Sequence, residues 1–269
     1  MRGARHLRTG QPNQDAWAHD QTDGGTFLCV ADGHGSNEFF RSDVGAKLAA
    51  AAAVGVLRAS TEGNVPQRIV EAWRRAVDAH VAEMPYEGDP PRNALVPYGC
   101  TVLAIAATAQ EIRLWQLGDG DILCVDREGK TRRPLPPDPR LIGNQTTSLC
   151  MEAAEKEFRS AVIPASEPVL IAVSTDGYAN SFETDADFLQ IGPDYLERLR
   201  ESGPDELAEQ LTPILDGTSH DGSGDDITLS LLYREEAFVV DGRVARTLRK
   251  LRASWRRPLW IVTLLVALL

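Results

Sequence analysis

The chain has 269 residues, of which 43% are hydrophobic and 25% charged, and this ordinary globular composition excludes a disordered, collagen-like or polytopic membrane protein. Its formal net charge of −11 argues against nucleic-acid binding, because phosphate contacts need a basic face. The four cysteines lie far apart without a CxxC pair. This spacing predicts reduced thiols in the cytoplasm rather than a disulfide framework or a zinc site.

The first third of the chain predicts one buried strand and two long helices. Residues 26–31 form a short apolar run that reads as a strand. After Ser36, a candidate N-cap, residues 37–59 are rich in Ala and Leu and predict a helix. A second helix is expected over residues 66–83, where apolar residues recur on one side, and the Pro-rich residues 84–97 predict a loop.

Beyond this loop the hydrophobic period changes from 3.6 to 2, which predicts a series of strands. The expected strands cover residues 99–108, 111–117, 121–126, 157–163, 168–174 and 226–233. Helices are expected at residues 185–200 and 204–215. Because the strands cluster in antiparallel hairpins and the helices form separate blocks, the pattern predicts an α+β layered sandwich.

The two ends of the chain carry separate signals. The basic N-terminus has no apolar segment, so no secretory signal is expected. Residues 243–257 carry seven positive side chains and no acidic one, and the eleven residues 259–269 carry no charge. As a helix those eleven residues would reach only about 16 Å, against about 30 Å for the bilayer core.

We therefore expect a domain over residues 1–234, a basic juxtamembrane linker over 235–257 and a hydrophobic tail over 258–269. The tail is interpreted as a truncated membrane anchor, with the acidic domain at the inner face of the cell membrane, because basic residues flank membrane segments on the cytoplasmic side. The alternative is a C-terminal helix packed on the domain.

Aspartates fall at strand ends throughout the predicted sheet: they are Asp15, Asp32, Asp119, Asp176, Asp225 and Asp226. A carboxylate at a buried strand edge is costly unless it is paired or bound to a cation. Several at one edge would form a hard oxygen site suited to Mg²⁺ or Mn²⁺. Two such ions can activate a water and hold the oxygens of an in-line phosphoryl displacement. A single Asp-Gly pair, in contrast, is usually only a turn.

Six motifs follow one another along the chain: NQD, DGHG, GCT, LGDGD, STDG and DDIT. This ordered set resembles the metal-dependent PPM (type 2C) serine/threonine protein phosphatases over about residues 3–233, and the opening GARHLRTGQPNQDAW looks most like the bacterial branch. The resemblance implies a central antiparallel β-sandwich flanked by helix pairs, in α-β-β-α layers, with a binuclear Mn²⁺ or Mg²⁺ centre at one edge.

The resemblance also implies the metal ligands. Asp32 would bridge both ions, and the carbonyl of Gly33 would bind the second. Asp176 and Asp225 would complete the first ion's ligands. Asp119 matches a position that helps to hold a weaker third ion in bacterial members.

His34 matches the proposed general acid, which protonates the leaving seryl or threonyl oxygen. A serine alkoxide is a poor leaving group, so proton donation should accelerate the reaction by ~10²–10⁴-fold. The alternative for His34 is a solvent-exposed turn residue without a catalytic role.

The chain departs from the family pattern at three positions. Gln14 stands where many members have Glu before the aspartate Asp15, and both residues are expected just behind the metal ligands. The usual phosphate-binding Arg is missing from its position, so Arg8 and His6 are the nearby candidates. Asn180 replaces an acidic residue, which predicts a weaker third metal site.

The leading hypothesis is metal-dependent hydrolysis of phosphoserine and phosphothreonine in proteins that a serine/threonine kinase has phosphorylated, by direct attack of a metal-activated water. The alternative is a non-catalytic pseudophosphatase that binds phosphoproteins at the membrane. A weaker third hypothesis is a two-metal hydrolase of small phosphoesters.

Overall fold

A computed structural model describes residues 1–140 and 146–234, and the backbone of residues 260–265. The helices are Ala4–Thr9 (α1), Ser42–Ala59 (α2), Val65–Glu83 (α3), Asp176–Ala179 (α4), Asp185–Leu189 (α5), Ile191–Glu201 (α6) and Pro204–Asp221 (α7). The strands are Asp15–Thr22 (β1), Gly25–Asp32 (β2), Val102–Ala107 (β3), Glu111–Leu117 (β4), Asp121–Val125 (β5), Thr131–Arg132 (β6), Arg159–Pro164 (β7), Leu170–Ser174 (β8), Leu229–Arg234 (β9) and Trp260–Leu265 (β10).

Two antiparallel sheets form the centre of the fold. Their strand orders are β1-β2-β3-β4-β7 and β10-β9-β8-β5-β6. One apolar cluster lies between the sheets, a second joins the first sheet to α2 and α3, and a third joins the second sheet to α4–α7. The predicted α+β class and the layered sandwich are therefore confirmed.

Strand β2 shows why a central strand of this fold has a continuous run of apolar residues in its sequence. Phe27 and Cys29 belong to the cluster beneath the helices, whereas Leu28 and Val30 belong to the cluster between the sheets. Both faces of the strand are covered, so both must be apolar.

Small residues on α2 let neighbouring segments approach the helix closely. A Cβ on Gly45 would stand 2.0 Å from the carbonyl oxygen of Tyr98, so only glycine fits there. The indole nitrogen of Trp73, on α3, donates to the carbonyl of Gly45 at 3.1 Å. Trp73 is thus a fully buried core residue, which leaves no role for it in substrate binding.

Several element boundaries differ from the prediction. The first predicted helix divides into a short 3-10 turn at Asn37–Phe39 and α2, and the helix predicted at 185–200 divides into α5 and α6. The last strand predicted at 226–233 begins only at Leu229. Helix α1 and strand β1 were missed, because α1 is only six residues long and the outer half of β1 is exposed and polar.

The tail adopts a form that neither sequence interpretation included. The backbone of Trp260–Leu265 is an edge strand that pairs antiparallel with β9, not a helix. The expected basic linker lies outside the described residues. Within the described part of the chain, no helix has the length and apolar character needed to cross a bilayer.

Candidate metal centre and active site

The pairing of β1 with β2 places two of the predicted carboxylates side by side. Asp15 begins β1, Asp32 ends β2, and the register makes them direct partners. Side chains that face each other on antiparallel strands stand about 4.5–5.5 Å apart at Cβ, and like charges in that arrangement repel each other. This edge of the first sheet therefore carries unbalanced negative charge.

The second sheet brings further carboxylates to the same end of the sandwich. Asp119 precedes β5, and Asp176 follows β8. The two sheets are linked there by Thr175, whose hydroxyl donates to Oδ2 of Asp15 at 2.8 Å. Residues separated by 160 positions thus meet at one edge of the sandwich.

Three of the carboxylates at this edge are buried close to one another, and their pKa values are raised. Burial raises the pKa of Asp32 well above its ordinary value, and the charges of Asp15, Asp176 and Asp119 raise it further. Burial, and then the charge of Asp226, raise the pKa of Asp15 to about 7. Burial and the charge of Asp176 raise the pKa of Asp119 to about 6.

The residue types at this edge fit a divalent-cation site, but their side chains do not converge on one point in this structure. Among residues 1–140 and 146–234, no three Asp, Glu, His or Cys side chains surround a common point. Asp32 instead shares a hydrogen bond with Asp176. The buried Oδ1 of Asp15 has no hydrogen-bond partner. A buried orphan oxygen beside mutually repelling carboxylates is the donor chemistry that Mg²⁺ and Mn²⁺ satisfy.

The two consecutive aspartates before β9 have different environments. The side chain of Asp226 is 3% exposed, whereas that of Asp225 is 36% exposed. Asp226 accepts hydrogen bonds from the backbone nitrogens of Gly3 at 2.6 Å and Gln14 at 2.7 Å. Asp225 instead pairs with the guanidinium of Arg5 at 2.8 Å. Of the pair, Asp225 is therefore the carboxylate that solvent and ions can reach.

His34 lies beside this edge, in the loop that follows β2. Its ring packs edge-on against Phe39, with centroids 4.7 Å apart. Its backbone nitrogen donates to the carbonyl of Gly99, and this hydrogen bond links the DGHG motif to the GCT motif. Burial lowers the pKa of His34 to about 4, so the imidazole is neutral near pH 7. The alternative of a solvent-exposed turn residue does not describe this packed ring.

Gln14 holds the surrounding loops together. Its side-chain nitrogen donates to the carbonyl of His34 at 3.1 Å and to the hydroxyl of Ser42 at 2.8 Å. The backbone carbonyl of Gln14 also accepts a hydrogen bond from the backbone nitrogen of Gly33. A Cβ on Gly33 would stand 2.6 Å from the carbonyl oxygen of Ser42, so glycine is required at this crossing. The amide therefore has a structural role that a carboxylate, which cannot donate, would not fulfil.

Asn180 lies one turn after Asp176 at the exposed rim of the site. Its side-chain nitrogen donates to Oδ2 of Asp176 at 2.9 Å. The residue thus orients a predicted ligand and adds no negative charge.

The two residues predicted to bind phosphate have different surroundings. His6 is buried, and its two ring nitrogens face the carboxylates of Asp226 and Asp225. Arg8 is exposed, and its Nη2 lies 4.0 Å from the point where a Cβ on Gly224 would stand. Of these two candidates, Arg8 is therefore the one that presents a charged group at the surface beside the aspartate loop. Sequence reasoning missed Arg5, because the helix α1 that orients it was not predicted.

The family model for protein phosphatase 2C matches residues 2–216 of the chain. No curated protein matches the sequence significantly.

Several solved structures share the fold. The serine/threonine phosphatase Stp1 from Staphylococcus aureus is 14% identical, with a TM-score of 0.57, and the alignment covers 83% of this chain and 89% of that one. The Mycobacterium tuberculosis serine/threonine phosphatase PstP/Ppp is 18% identical, with a TM-score of 0.53 and coverage of 82% and 91%. A complex of the PstP catalytic domain with 2 manganese ions is 18% identical, with a TM-score of 0.53 and coverage of 82% and 90%. These matches confirm the fold that the motifs implied.

Proposed function

This chain belongs to the protein phosphatase 2C family, and from that premise we propose that it hydrolyses phosphoserine and phosphothreonine monoesters in proteins with two Mn²⁺ or Mg²⁺ ions. The observation that carries this proposal is the meeting of Asp15, Asp32, Asp119 and Asp176 at one sandwich edge, where burial and mutual repulsion raise the pKa values of three of them. The manganese complex of the PstP catalytic domain supports the choice of metal.

We assign each of the proposed metal ions to a set of ligands at this edge. Asp32, the carbonyl of Gly33, Asp176 and Asp225 would hold the two ions, and Asp119 would contribute to a weaker third. When bound, the ions supply a water of lowered pKa and neutralise the phosphoryl oxygens.

His34 would donate a proton to the leaving seryl or threonyl oxygen. A phosphoryl dianion beside the ring favours its protonated form, which opposes the effect of burial on its pKa. Its packing against Phe39 fixes the plane of the imidazole. The Gln14 amide secures the loop in which it lies.

Metal removal tests the proposed function directly. The full chain treated with EDTA is expected to lose hydrolysis of a phosphothreonine peptide to the background level, and excess Mn²⁺ should restore it. Phosphate release is the measurement. Turnover that survives chelation would contradict the proposal. If the Mn²⁺-loaded chain instead binds the phosphopeptide without turnover, it is a pseudophosphatase, and faster turnover of small phosphoesters would identify a metabolite phosphatase.

Arg8 is proposed to contact the substrate phosphate. Charge-assisted hydrogen bonds contribute about 1.5–3 kcal/mol, so Arg8→Ala should raise KM for a phosphopeptide by ~10-fold or more. The effect on kcat should be smaller. Arg8→Lys, which retains the charge, is the matched control and should recover part of the affinity. Equal KM values for the wild-type and Arg8→Ala chains would assign the phosphate contact to another residue.

Membrane attachment of the tail is a separate proposal, supported by the basic residues 243–257 beside the uncharged residues 259–269. It would place the phosphatase domain at the cytoplasmic face. A chain ending at Arg257 should then no longer sediment with vesicles of neutral lipid, whereas the full chain should. Neutral lipid is used because the basic residues that the shortened chain keeps would bind anionic lipid without the tail. The pairing of β10 with β9 gives the competing expectation. If the tail only covers that sheet edge, truncation will lower the melting temperature and leave vesicle binding unchanged.

A further inference from the structure

Buried His6 lies between the two consecutive aspartates that precede β9. Its Nδ1 is 2.9 Å from Oδ2 of Asp226, and its Nε2 is 3.6 Å from Oδ1 of Asp225. The His6 side chain is only 3% exposed, so it reaches both carboxylates from the interior. The Nδ1 edge of the ring is within hydrogen-bond distance of Asp226, and the Nε2 edge lies against the carboxylate of Asp225. The ring therefore connects a buried carboxylate to an exposed one.

Asp226 is a fixed anchor for this ring. Besides His6, it accepts from the backbone nitrogens of Gly3 and Gln14. Three donors around one buried carboxylate leave it little freedom to rotate, and they satisfy its charge without a metal. The position of His6 is thus determined by backbone groups from two separate segments of the chain.

Helix α1 is itself tightly joined to the loop that carries Asp225. A Cβ on Gly3 would stand 2.3 Å from the carbonyl carbon of Asp225, so the start of α1 lies flat against that peptide. The backbone nitrogen of Arg5 donates to the carbonyl of Gly224 at 2.8 Å. The hydroxyl of Ser219 accepts from the nitrogen of Ala4 and donates to the carbonyl of Asp225. Because of these contacts, His6 cannot move far relative to the aspartate.

Arg5 and His6 contact opposite sides of the same carboxylate. Arg5 is half exposed and takes Oδ2 of Asp225, whereas His6 approaches Oδ1 from the buried side. A half-exposed guanidinium can give way to a cation. A buried ring anchored to Asp226 remains, and residues placed in this way behind a ligand commonly orient it toward a metal.

We propose that His6 is a positioning residue: anchored by Asp226, it holds the carboxylate of Asp225 in the orientation that binds a divalent cation. This inference rests on the proposed function, since the cation is the one assigned to Asp225 there. It gives His6 a role in metal affinity in place of the phosphate contact expected from the sequence.

Calorimetric titration of the full chain with Mn²⁺ tests the proposal. Loss of a group that orients a ligand typically weakens metal affinity by ~10–100-fold, so His6→Ala should raise the Mn²⁺ Kd by that factor. His6→Gln, whose amide can still donate to one carboxylate, should recover part of the affinity. His19→Gln, a change at an exposed histidine further along β1, should match the wild type. In the His6→Ala chain, the further change Asp225→Asn should cost less affinity than it does in the wild type.

The outcomes separate a positioning role from a merely structural one. If His6→Ala melts at a lower temperature but binds Mn²⁺ with the wild-type Kd, the proposal is overturned. If His6→Ala does not fold, the comparison of His6→Gln with His19→Gln decides, and equal Kd values overturn the proposal. If the wild type itself binds no Mn²⁺ and hydrolyses no phosphopeptide, the proposed function is wrong, and the role of His6 is rejected with it. Normal Mn²⁺ binding by the wild type and by every His6 variant would remove only the role of His6.

Discussion

Replacing Asp32 by asparagine is expected to reduce kcat on a phosphothreonine peptide by ~10³-fold or more, because metal ions that stabilise phosphoryl charge contribute several kcal/mol. Asp32 stands at the centre of the charged edge, opposite Asp15 and in contact with Asp176. An amide there keeps the shape of the side chain but removes the charge. The measurement is phosphate release at saturating Mn²⁺.

Two further measurements show that this loss is not caused by misfolding. Without metal, Asp32→Asn should raise the melting temperature, because it removes one of several repelling carboxylates from a buried site. Relief of about 1 kcal/mol corresponds to a shift of roughly 2–4 °C for a domain of this size. Asp23→Asn, in the exposed turn at the other end of the β1–β2 hairpin, is the matched control and should change neither quantity. A fully active Asp32→Asn chain would contradict the proposed metal centre.

Replacing His34 by glutamine is expected to lower kcat on a phosphoserine peptide by ~10²–10⁴-fold, the range typical of a lost general acid. The same change should lower kcat on p-nitrophenyl phosphate much less, by less than ~10-fold, because nitrophenolate leaves without protonation. The ratio of the two effects is therefore the informative quantity. The Mn²⁺ Kd should stay at the wild-type value, because no metal contact is assigned to the imidazole.

A structural role for His34 would give a different result. If the ring only packs against Phe39 and secures its loop, His34→Gln should slow both substrates by the same factor. His80→Gln provides a comparison, since His80, a residue of α3, is also packed against an aromatic ring, that of Tyr98. That change should leave the ratio between the two substrates unchanged.

The fold could be predicted from sequence where burial on both faces imposes a continuous apolar run. β2 and β8 were predicted within one or two residues, because strands covered on both sides leave a strong hydrophobic signal. β4, in which polar residues interrupt the apolar ones, was predicted at its observed bounds from its period of 2. β1 was missed since its exposed outer half weakens that signal. The tail was considered only as a helix, and its pairing with β9 depends on an edge that no local pattern reveals.

The candidate site was predicted less completely than the fold. The motifs identified the aspartates, and the family resemblance assigned the ligand role to Asp225 rather than Asp226. The difference in exposure between these two neighbours depends on where α1 lies and could not be predicted. His6 and Arg8 were equal candidates for phosphate, because spacing along the chain does not show that one of them is buried. Arg5 was missed for the same reason.

The sequence by itself determined the family of this protein, because aspartates stand at the ends of apolar strands in an order that resembles the type 2C protein phosphatases. Residue type and local pattern are sufficient for that, since each strand end is a local feature. Only the tertiary structure decided which oxygens are exposed, which are anchored and which groups stand behind them. These properties depend on contacts such as that of Gly3 with Asp225, which join residues more than two hundred positions apart.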